Sequence, residues 1–381
     1  MSSPAAAACS STGCSVKVIA KTWARDSHDL FDFESTEVRE CSFELRHPAT
    51  CARVGDDVVL QHAGPSSARG SEPLLSVVQR DHAFYVDKAA ACRRLWLVIR
   101  DVAPNGYRLR VGECFKLGRF KFRVRQLVDE TGGGAQPDLS LEGMDATYSY
   151  DPEQCIESMP CRICLMEGPG EDDPLIKPCK CKGSIEYVHL KCLRYWTKSR
   201  LQSTDAGQSD PGSYFYRPLT CELCLSSLPA FIMPVGGKSA PLLEAPPTKP
   251  PFVVLESVSR DSRRHSRGLH VVSLAGKACT LGRSHDSDVR IADVSISRCH
   301  ATISYEQGHF VLRDNKSKFG TLVALNRPLP VGAGRKVSLQ VGRTVVSLAP
   351  LREESGCLDV FVPCPRMTPA ITGSDLAEET Q

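Results

Sequence analysis

Long apolar runs are missing from this 381-residue chain. The longest near a candidate domain edge, Leu223 to Met233, is broken by Ser226, Ser227 and Pro229, whereas a bilayer-spanning helix needs roughly 20 consecutive apolar residues. No membrane insertion is therefore expected. The start of the chain has no basic segment followed by an apolar one, and its second residue is Ser2, not the glycine that N-myristoylation requires. A cytoplasmic or nuclear protein is the resulting expectation. An excess of one charge is also missing, since 47 Lys and Arg stand against 44 Asp and Glu, a formal net charge of +3. Binding a nucleic-acid backbone calls for a concentrated basic face, so no nucleic acid is expected and the partners should be proteins.

Turn formers, by contrast, are plentiful: 28 Gly and 26 Pro favour β structure over long helices. The length exceeds what one hydrophobic core usually serves, so roughly two or three domains are expected. The chain also has 18 Cys. Without a secretion signal to carry them to an oxidising compartment, metal ligation is a better default than a disulfide framework.

The spacing of the central cysteines bears this out as a pattern: Cys161-x2-Cys164, Cys179-x-Cys181, then x7 to His189, x2 to Cys192, and finally Cys221-x2-Cys224. Zn(II) prefers four thiolate or imidazole ligands, and a Cys-x-x-Cys turn aims two sulfurs at one ion. Four pairs fill two tetrahedral sites and leave no open position for an activated water, so two structural Zn(II) ions are expected. Cys155 reads as a bystander. From Leu190 the segment through Lys198 reads as a short helix, with Cys192 and Trp196 one turn apart on one face.

This pattern resembles the RING-CH, or RING-variant, C4HC3 finger, and the run from Lys177 to Trp196 looks like that family throughout. The PHD finger, also C4HC3, fits less well: its third and fourth ligands lie further apart and its signature Trp sits just before the seventh ligand, where this chain has Leu219 and Thr220. The resemblance implies a cross-brace in which Cys161, Cys164, His189 and Cys192 hold one zinc and Cys179, Cys181, Cys221 and Cys224 the other. It further implies a RING-type E3 ubiquitin ligase, with no catalytic nucleophile of its own, that holds a ubiquitin-charged E2 conjugating enzyme so that a lysine attacks the thioester. Ile163, Trp196 and Leu223 match the family's apolar E2-contact group. Two positions depart from the family pattern: Glu222 stands where Pro is common, and Leu225 where a basic residue meets ubiquitin.

After the Pro-rich stretch Ala240 to Pro251, short β-rich runs recur between turns, at 252–255, 269–274, 301–305, 309–313, 321–325, 336–339 and 344–348, the rhythm of a β-sandwich. Gly282-Arg283, Ser297-Arg298-Cys299-His300-Ala301 and Ser317-Lys318-Phe319-Gly320-Thr321 resemble the marks of the FHA (forkhead-associated) domain. That likeness implies phosphothreonine-peptide binding through Arg283, Ser297, Arg298 and Lys318. A guanidinium forks onto phosphate oxygens and a hydroxyl donates to them. Gly282, His300 and Gly320 have structural parts in the same likeness. Phe319 departs from it, because many FHA domains have Asn there.

The first domain reads as a degenerate copy of the last. Gln79 to Ala83 parallels Ser297 to Ala301, Gly64 precedes His82 as Gly282 precedes His300, Leu97 to Asp101 parallels Phe310 to Asp314, and Leu117-Gly118-Arg119 parallels Val341-Gly342-Arg343. In that alignment Pro65 replaces Arg283 and Gln79 replaces Ser297. The expected organisation is multidomain and mainly β: a disordered 1–14, a degenerate FHA-like β-sandwich at 15–130, a linker at 131–154, a small α+β RING-CH finger at 155–230, a Pro-rich linker at 231–251, an FHA sandwich at 252–350 and a tail at 351–381. The resemblances imply a ligase that recruits phosphothreonine-containing proteins to a ubiquitin-charged E2. The alternative is a non-catalytic, zinc-stabilised phosphoprotein adaptor.

Overall fold

A computed structural model describes residues 15–24, 29–62, 70–80, 83–89, 92, 94–141, 147–151, 158–198, 202–203, 213–258, 268–332 and 336–351. Expectations for residues 1–14, Gly64, Pro65, His82, Cys155, most of the polar stretch from Ser203 to Gly212, the run Arg260 to Arg267 and the tail after 351 lie outside the described residues.

Ahead of the finger come β1 (Ser15–Trp23), β2 (Val38–Leu45), β3 (Ala49–Val54), β4 (Asp57–Gln61), β5 (Glu72–Arg80), β6 (Ala83–Lys88), β7 (Leu95–Val98), the single helical turn α1 (Ile99–Val102), β8 (Tyr107–Arg108), β9 (Cys114–Leu117) and β10 (Phe120–Val128). The finger segment holds β11 (Thr147–Tyr150), β12 (Leu175–Ile176), β13 (Val188–His189), α2 (Leu190–Lys198), β14 (Gln202–Ser203), β15 (Tyr214–Tyr216), β16 (Phe231–Pro234) and β17 (Ala240–Pro241). After it follow β18 (Phe252–Ser257), β19 (Leu269–Ser273), β20 (Cys279–Gly282), β21 (Val289–Arg290), β22 (Ala301–Glu306), β23 (His309–Asp314), β24 (Thr321–Leu325), β25 (Leu329–Val331), β26 (Val337–Val341) and β27 (Thr344–Leu351).

The chain is mainly β, but its two terminal halves are not two self-standing sandwiches at 15–130 and 252–350. They share sheets. A 12-stranded sheet runs β14-β15-β19-β18-β10-β9-β24-β7-β26-β27-β1-β2, with five-stranded sheets β21-β20-β22-β23-β8 and β25-β6-β5-β3-β4 beside it. β1 of the first half pairs with β27 of the second, Val18 opposite Leu348, and β10 of the first pairs with β18 of the second, Val124 opposite Leu255. Exchanging β1 to β10 with β18 to β27 in order turns most of their ladders into another of the same sense: β1·β27 becomes β18·β10, β9·β24 becomes β26·β7, and β6·β25 becomes β23·β8, whereas the antiparallel β3·β4 falls on the parallel β20·β21. The ladder β7·β24, with Leu97 opposite Val323, maps onto itself and so lies at the seam. An antiparallel ladder accepts any strand of matching pleat and burial, so strands of either half take partners in the other without loss of hydrogen bonds.

The core follows from this pairing between the halves. One cluster joins Val16, Val18, Phe84, Leu97, Phe115 and Phe122 of the first half to Val253, Leu255, Leu281, Ile303, Leu339 and Leu348 of the second. β7, β18 and β26 have every residue buried, as strands covered on both faces must. On the far face a smaller cluster packs Phe31 against Trp96, Val98, Leu322, Ala324 and Val345.

β10 and β18 are antiparallel neighbours with Val128 opposite Phe252. The finger thus leaves and re-enters the body at adjoining strand ends. The segments expected as linkers are partly ordered into the finger, since β11 pairs in parallel with β16, and β17 pairs with β16. β15, just beyond the polar stretch expected as a surface loop, adds to the edge of the large sheet, with Tyr214, Phe215 and Tyr216 opposite Val271, His270 and Leu269. Tyr214, Tyr216 and Leu141 bury against Val128, Phe252, Val254, Leu269 and Val271, which fixes the finger to the body.

Candidate metal centre and phosphate end

Two knuckles with the same backbone turn carry half of the ligands. In Cys161 to Leu165, the Leu165 N–H donates to the Cys161 carbonyl at 2.8 Å and the Cys161 N–H to the Met166 carbonyl at 2.9 Å. In Cys221 to Leu225, the Leu225 N–H donates to the Cys221 carbonyl at 3.0 Å and the Cys221 N–H to the Ser226 carbonyl at 2.9 Å. Leu165 and Leu225 close these turns at φ 63° and 55°, a left-handed conformation that costs a residue with a Cβ about 1–2 kcal/mol. The strain is tolerated because the turn points both sulfurs inward.

The ligand atoms fall into two groups, Cys161, Cys164, His189 and Cys192, and Cys179, Cys181, Cys221 and Cys224, each with all its ligand atoms within 4.8 Å of one another. The Cys181 and Cys221 Sγ atoms are 3.7 Å apart and Cys164 Sγ lies 3.2 Å from His189 Nδ1. Tetrahedral zinc with Zn–S bonds of about 2.3 Å sets its sulfurs roughly 3.7 Å apart, so both groups fit a zinc ion. The second shell agrees: His189 Nε2 donates to the Gly168 carbonyl at 2.7 Å, which leaves Nδ1 bare for the metal. Arg162 Nη1 donates to Cys179 Sγ at 3.3 Å and offsets thiolate charge. The finger thus carries two zinc ions in closed four-ligand sites, whose chemistry is to cross-link the fold.

Around this brace, α2 buries Leu190, Leu193 and Thr197. Ile163, Trp196 and Leu223 line one groove of about 210 Å³ together with Arg162, Leu193 and Glu222. Ile163 is 40% exposed and Leu223 60%, an unusual state for such side chains near a packed core. Glu222 places a carboxylate in the groove, and Leu225 is 63% exposed.

At the other end of the chain, the Arg283 N–H donates to the Ser297 carbonyl at 3.0 Å and its Nε to the Ile296 carbonyl at 3.3 Å. The Lys318 N–H donates to Ser297 Oγ at 3.1 Å. Arg283, Ser297 and Lys318 therefore converge, and Arg298 stands beside them, the Ser284 N–H donating to its carbonyl at 3.1 Å. Arg283, Arg298 and Lys318 are exposed. His300 is fully buried; its Nδ1 accepts from the Ser297 N–H at 3.1 Å and its Nε2 donates to the Gly320 carbonyl at 3.2 Å. Burial holds its pKa below the ordinary value, so the ring is neutral and ties two loops together. A Cβ on Gly282 would strike the Arg298 carbonyl at 2.0 Å, and one on Gly320, at φ +73°, would strike Phe33 at 2.6 Å.

Several residues bracing this end come from the first half, and no local signal marks them. Asp32 pairs with Lys318 at 3.2 Å and the Phe33 N–H donates to the Lys318 carbonyl at 2.9 Å. Arg100 pairs with Asp314 at 2.8 Å and donates to the Ser317 carbonyl. The Arg119 N–H donates to Ser295 Oγ at 3.1 Å. Phe319, the departure from the FHA pattern, lies 6.1 Å from the Trp23 ring of the first half.

Residues 161–224 match the model of the RING-variant domain and residues 279–346 that of the FHA domain. The family models match one FHA domain; they do not register a second in the first half. The chain is 37% identical to E3 ubiquitin-protein ligase MARCHF7 of Rattus norvegicus over 128 residues, 34% of this chain and 16% of that protein. It is 56% identical to E3 ubiquitin-protein ligase MARCHF8 of Bos taurus over 72 residues, 19% of this chain and 23% of that protein. ERAD-associated E3 ubiquitin-protein ligase DOA10 of Saccharomyces cerevisiae is 42% identical over 64 residues, 17% of this chain and 4% of that protein. The matched region thus spans 16% of the length of MARCHF7. No solved structure matches significantly. These relatives overturn the expected cytoplasmic or nuclear placement, since DOA10, which shares the finger, is described as ERAD-associated. Among the described residues no helix is long and apolar enough to cross a membrane, but that absence does not assign a compartment, since attachment through a partner needs no span.

Proposed function

We propose that this chain, with its RING-variant finger and FHA domain, is an E3 ubiquitin ligase that docks a ubiquitin-charged E2 on the finger and recruits phosphothreonine-containing proteins through the FHA end. The observation that carries the reading is the convergence of Ile163, Trp196 and Leu223 in one partly exposed groove on a zinc-braced support. A half-buried aromatic beside exposed aliphatic side chains on a rigid base is the usual makeup of a binding hot spot. The zinc ions hold the groove in shape; this chain offers no nucleophile and acts by positioning the thioester near an acceptor lysine. Arg283, Ser297 and Lys318, with Arg298 beside them, suit a phosphate monoester, since a guanidinium fork and a hydroxyl match its oxygens. The β15·β19 ladder ties the finger segment to the body that carries the FHA end, which raises the effective concentration of substrate lysines at the thioester. We also infer that the first half is a degenerate FHA-like copy that has exchanged strands with the second, as the matched ladders support. Exposed Leu225, where the family has a basic residue, favours the adaptor as a second reading.

The test is transfer of ubiquitin to a carrier protein bearing one threonine peptide, phosphorylated or plain. The phosphorylated carrier should be modified at least tenfold faster, and Arg283→Ala should erase the difference. Equal rates on both carriers with the wild-type protein would refute recruitment by phosphate.

A further inference from the structure

The matched ladders allow the two halves to be compared position by position. In β20·β22, Thr280 faces Thr302, and four residues on, Glu306 closes the β22·β23 hairpin opposite His309. In β3·β5, Thr50 faces Ser76, and four residues on, Arg80 closes the β5·β6 hairpin opposite Ala83. Three residues beyond Thr280 stands Arg283, and three beyond Thr50 stands Arg53. Four before Thr302 stands Arg298, and four before Ser76 stands Glu72; one further back are Ser297 and Ser71. The counterpart of Arg283 is therefore Arg53 and not Pro65, and the counterpart of Ser297 is Ser71 and not Gln79.

The two positions differ in one charge. In the second half the two neighbouring strands present arginine beside arginine, Arg283 and Arg298, both exposed. In the first half they present arginine beside glutamate, and Arg53 Nη2 is ion-paired with Glu72 Oε2. The other guanidinium nitrogen, Nη1, donates to Thr344 Oγ1 at 3.1 Å. The Arg53 side chain is 13% exposed and that of Glu72 55%, so the carboxylate lies on the solvent side of the guanidinium. A carboxylate and a phosphate monoester present similar oxygens to a guanidinium fork. Ser71 immediately precedes β5, and its hydroxyl accepts from Gln61 Nε2 at 3.2 Å.

We propose that the first half contains a second phosphate-type binding position, centred on Arg53 and Ser71, which Glu72 keeps closed by supplying its own carboxylate in place of the ligand. Its ligand class, once the carboxylate is withdrawn, is a phosphate monoester such as a phosphothreonine side chain. The proposal rests on the reading of Arg283 as a phosphate-binding residue only in choosing that class. It accounts for a first half that keeps arginine and serine at the matched positions yet offers no net positive site.

The test uses the full chain with Arg283→Ala to silence the second half, titrated with a phosphothreonine peptide and, separately, with inorganic phosphate. Adding Glu72→Gln, which keeps size and removes charge, should tighten binding of both probes at least tenfold over Arg283→Ala alone. A further Arg53→Ala should return it to the starting value. Glu72→Arg, which recreates the arginine pair of the second half, gives an independent variant should the first fold poorly. No Arg53-dependent gain with either variant, for either probe, overturns the proposal. The inorganic phosphate arm needs no peptide recognition, so it reports on Arg53 even where wild-type protein proves unable to bind phosphothreonine peptides.

Discussion

His270 lies where the finger joins the body, and acid should open that joint. The residue is 7% exposed, its ring packs 4.3 Å from the Phe215 ring and 5.9 Å from the Phe122 ring, and its Nδ1 has no hydrogen-bond partner among the described residues. Burial, with the nearby Arg217 charge second, pushes its pKa down from 6.5 to about 3. Above pH 6.5 the ring is neutral in folded and unfolded chains and contributes no pH dependence. Below it the unfolded chain takes up a proton that the folded chain refuses, so stability falls by ~1.4 kcal/mol per pH unit until the folded pKa is reached. Between pH 7.5 and 5.0 the loss is ~2 kcal/mol. His270→Leu removes the titrating group, while His300 and the zinc ligands titrate alike in both proteins and cancel in the comparison. Denaturant unfolding at the two pH values should show wild type losing about 2 kcal/mol more than His270→Leu, with hydrogen exchange at Tyr214 to Tyr216 accelerating first. Parallel pH dependence in the two proteins would refute the argument that a neutral, buried His270 supports the joint.

Two further outcomes follow from the fold. His300→Ala orphans the Ser297 N–H and the Gly320 carbonyl, each costing about 1–3 kcal/mol, so its melting temperature should drop and phosphothreonine-peptide binding should go with it; unchanged binding would show that the two loops hold without the ring. The fragment 252–351 lacks β10 beside β18, β1 beside β27, and β7 and β9 beside β24. It should show no cooperative melt and poor amide protection, whereas a well-folded monomeric fragment would contradict the strand exchange.

How much of this was legible depended on the range of the contacts. The zinc ligands sit in short turns whose spacing is itself the geometry, so Cys161 to Cys224 could be grouped from sequence. The C-terminal strands likewise announced themselves through apolar runs between turns. Strand partners did not. β10 and β27 both offer buried positions that suit either copy, and only the assembled sheet decides which neighbour each takes. The likeness between the halves was placed in another register: Arg80 to Ala83 looks like Arg298 to Ala301, yet Arg80 and Ala83 pair across β5·β6 as Glu306 and His309 pair across β22·β23. The glycines of the closing turns, Gly118 at φ +52° and Gly342 at +55°, gave the correct match because a tight turn constrains its residue locally. Tyr214 to Tyr216 stayed hidden because a polar, turn-rich stretch precedes them and their partner strand lies beyond the finger. The bracing contacts of Arg100 and Arg119 span 217 and 176 residues, out of reach of any local pattern.

The central claim is that the zinc-braced groove engages a charged E2, and discharge of ubiquitin from a panel of E2 thioesters to free lysine tests it without any substrate. The wild-type chain should accelerate discharge from at least one E2, and Trp196→Ala, which removes a contact of hot-spot size worth ~2 kcal/mol, should slow it about 30-fold with two zinc ions per chain retained. No acceleration from any E2 by zinc-replete wild-type protein, or equal rates for Trp196→Ala, would contradict it.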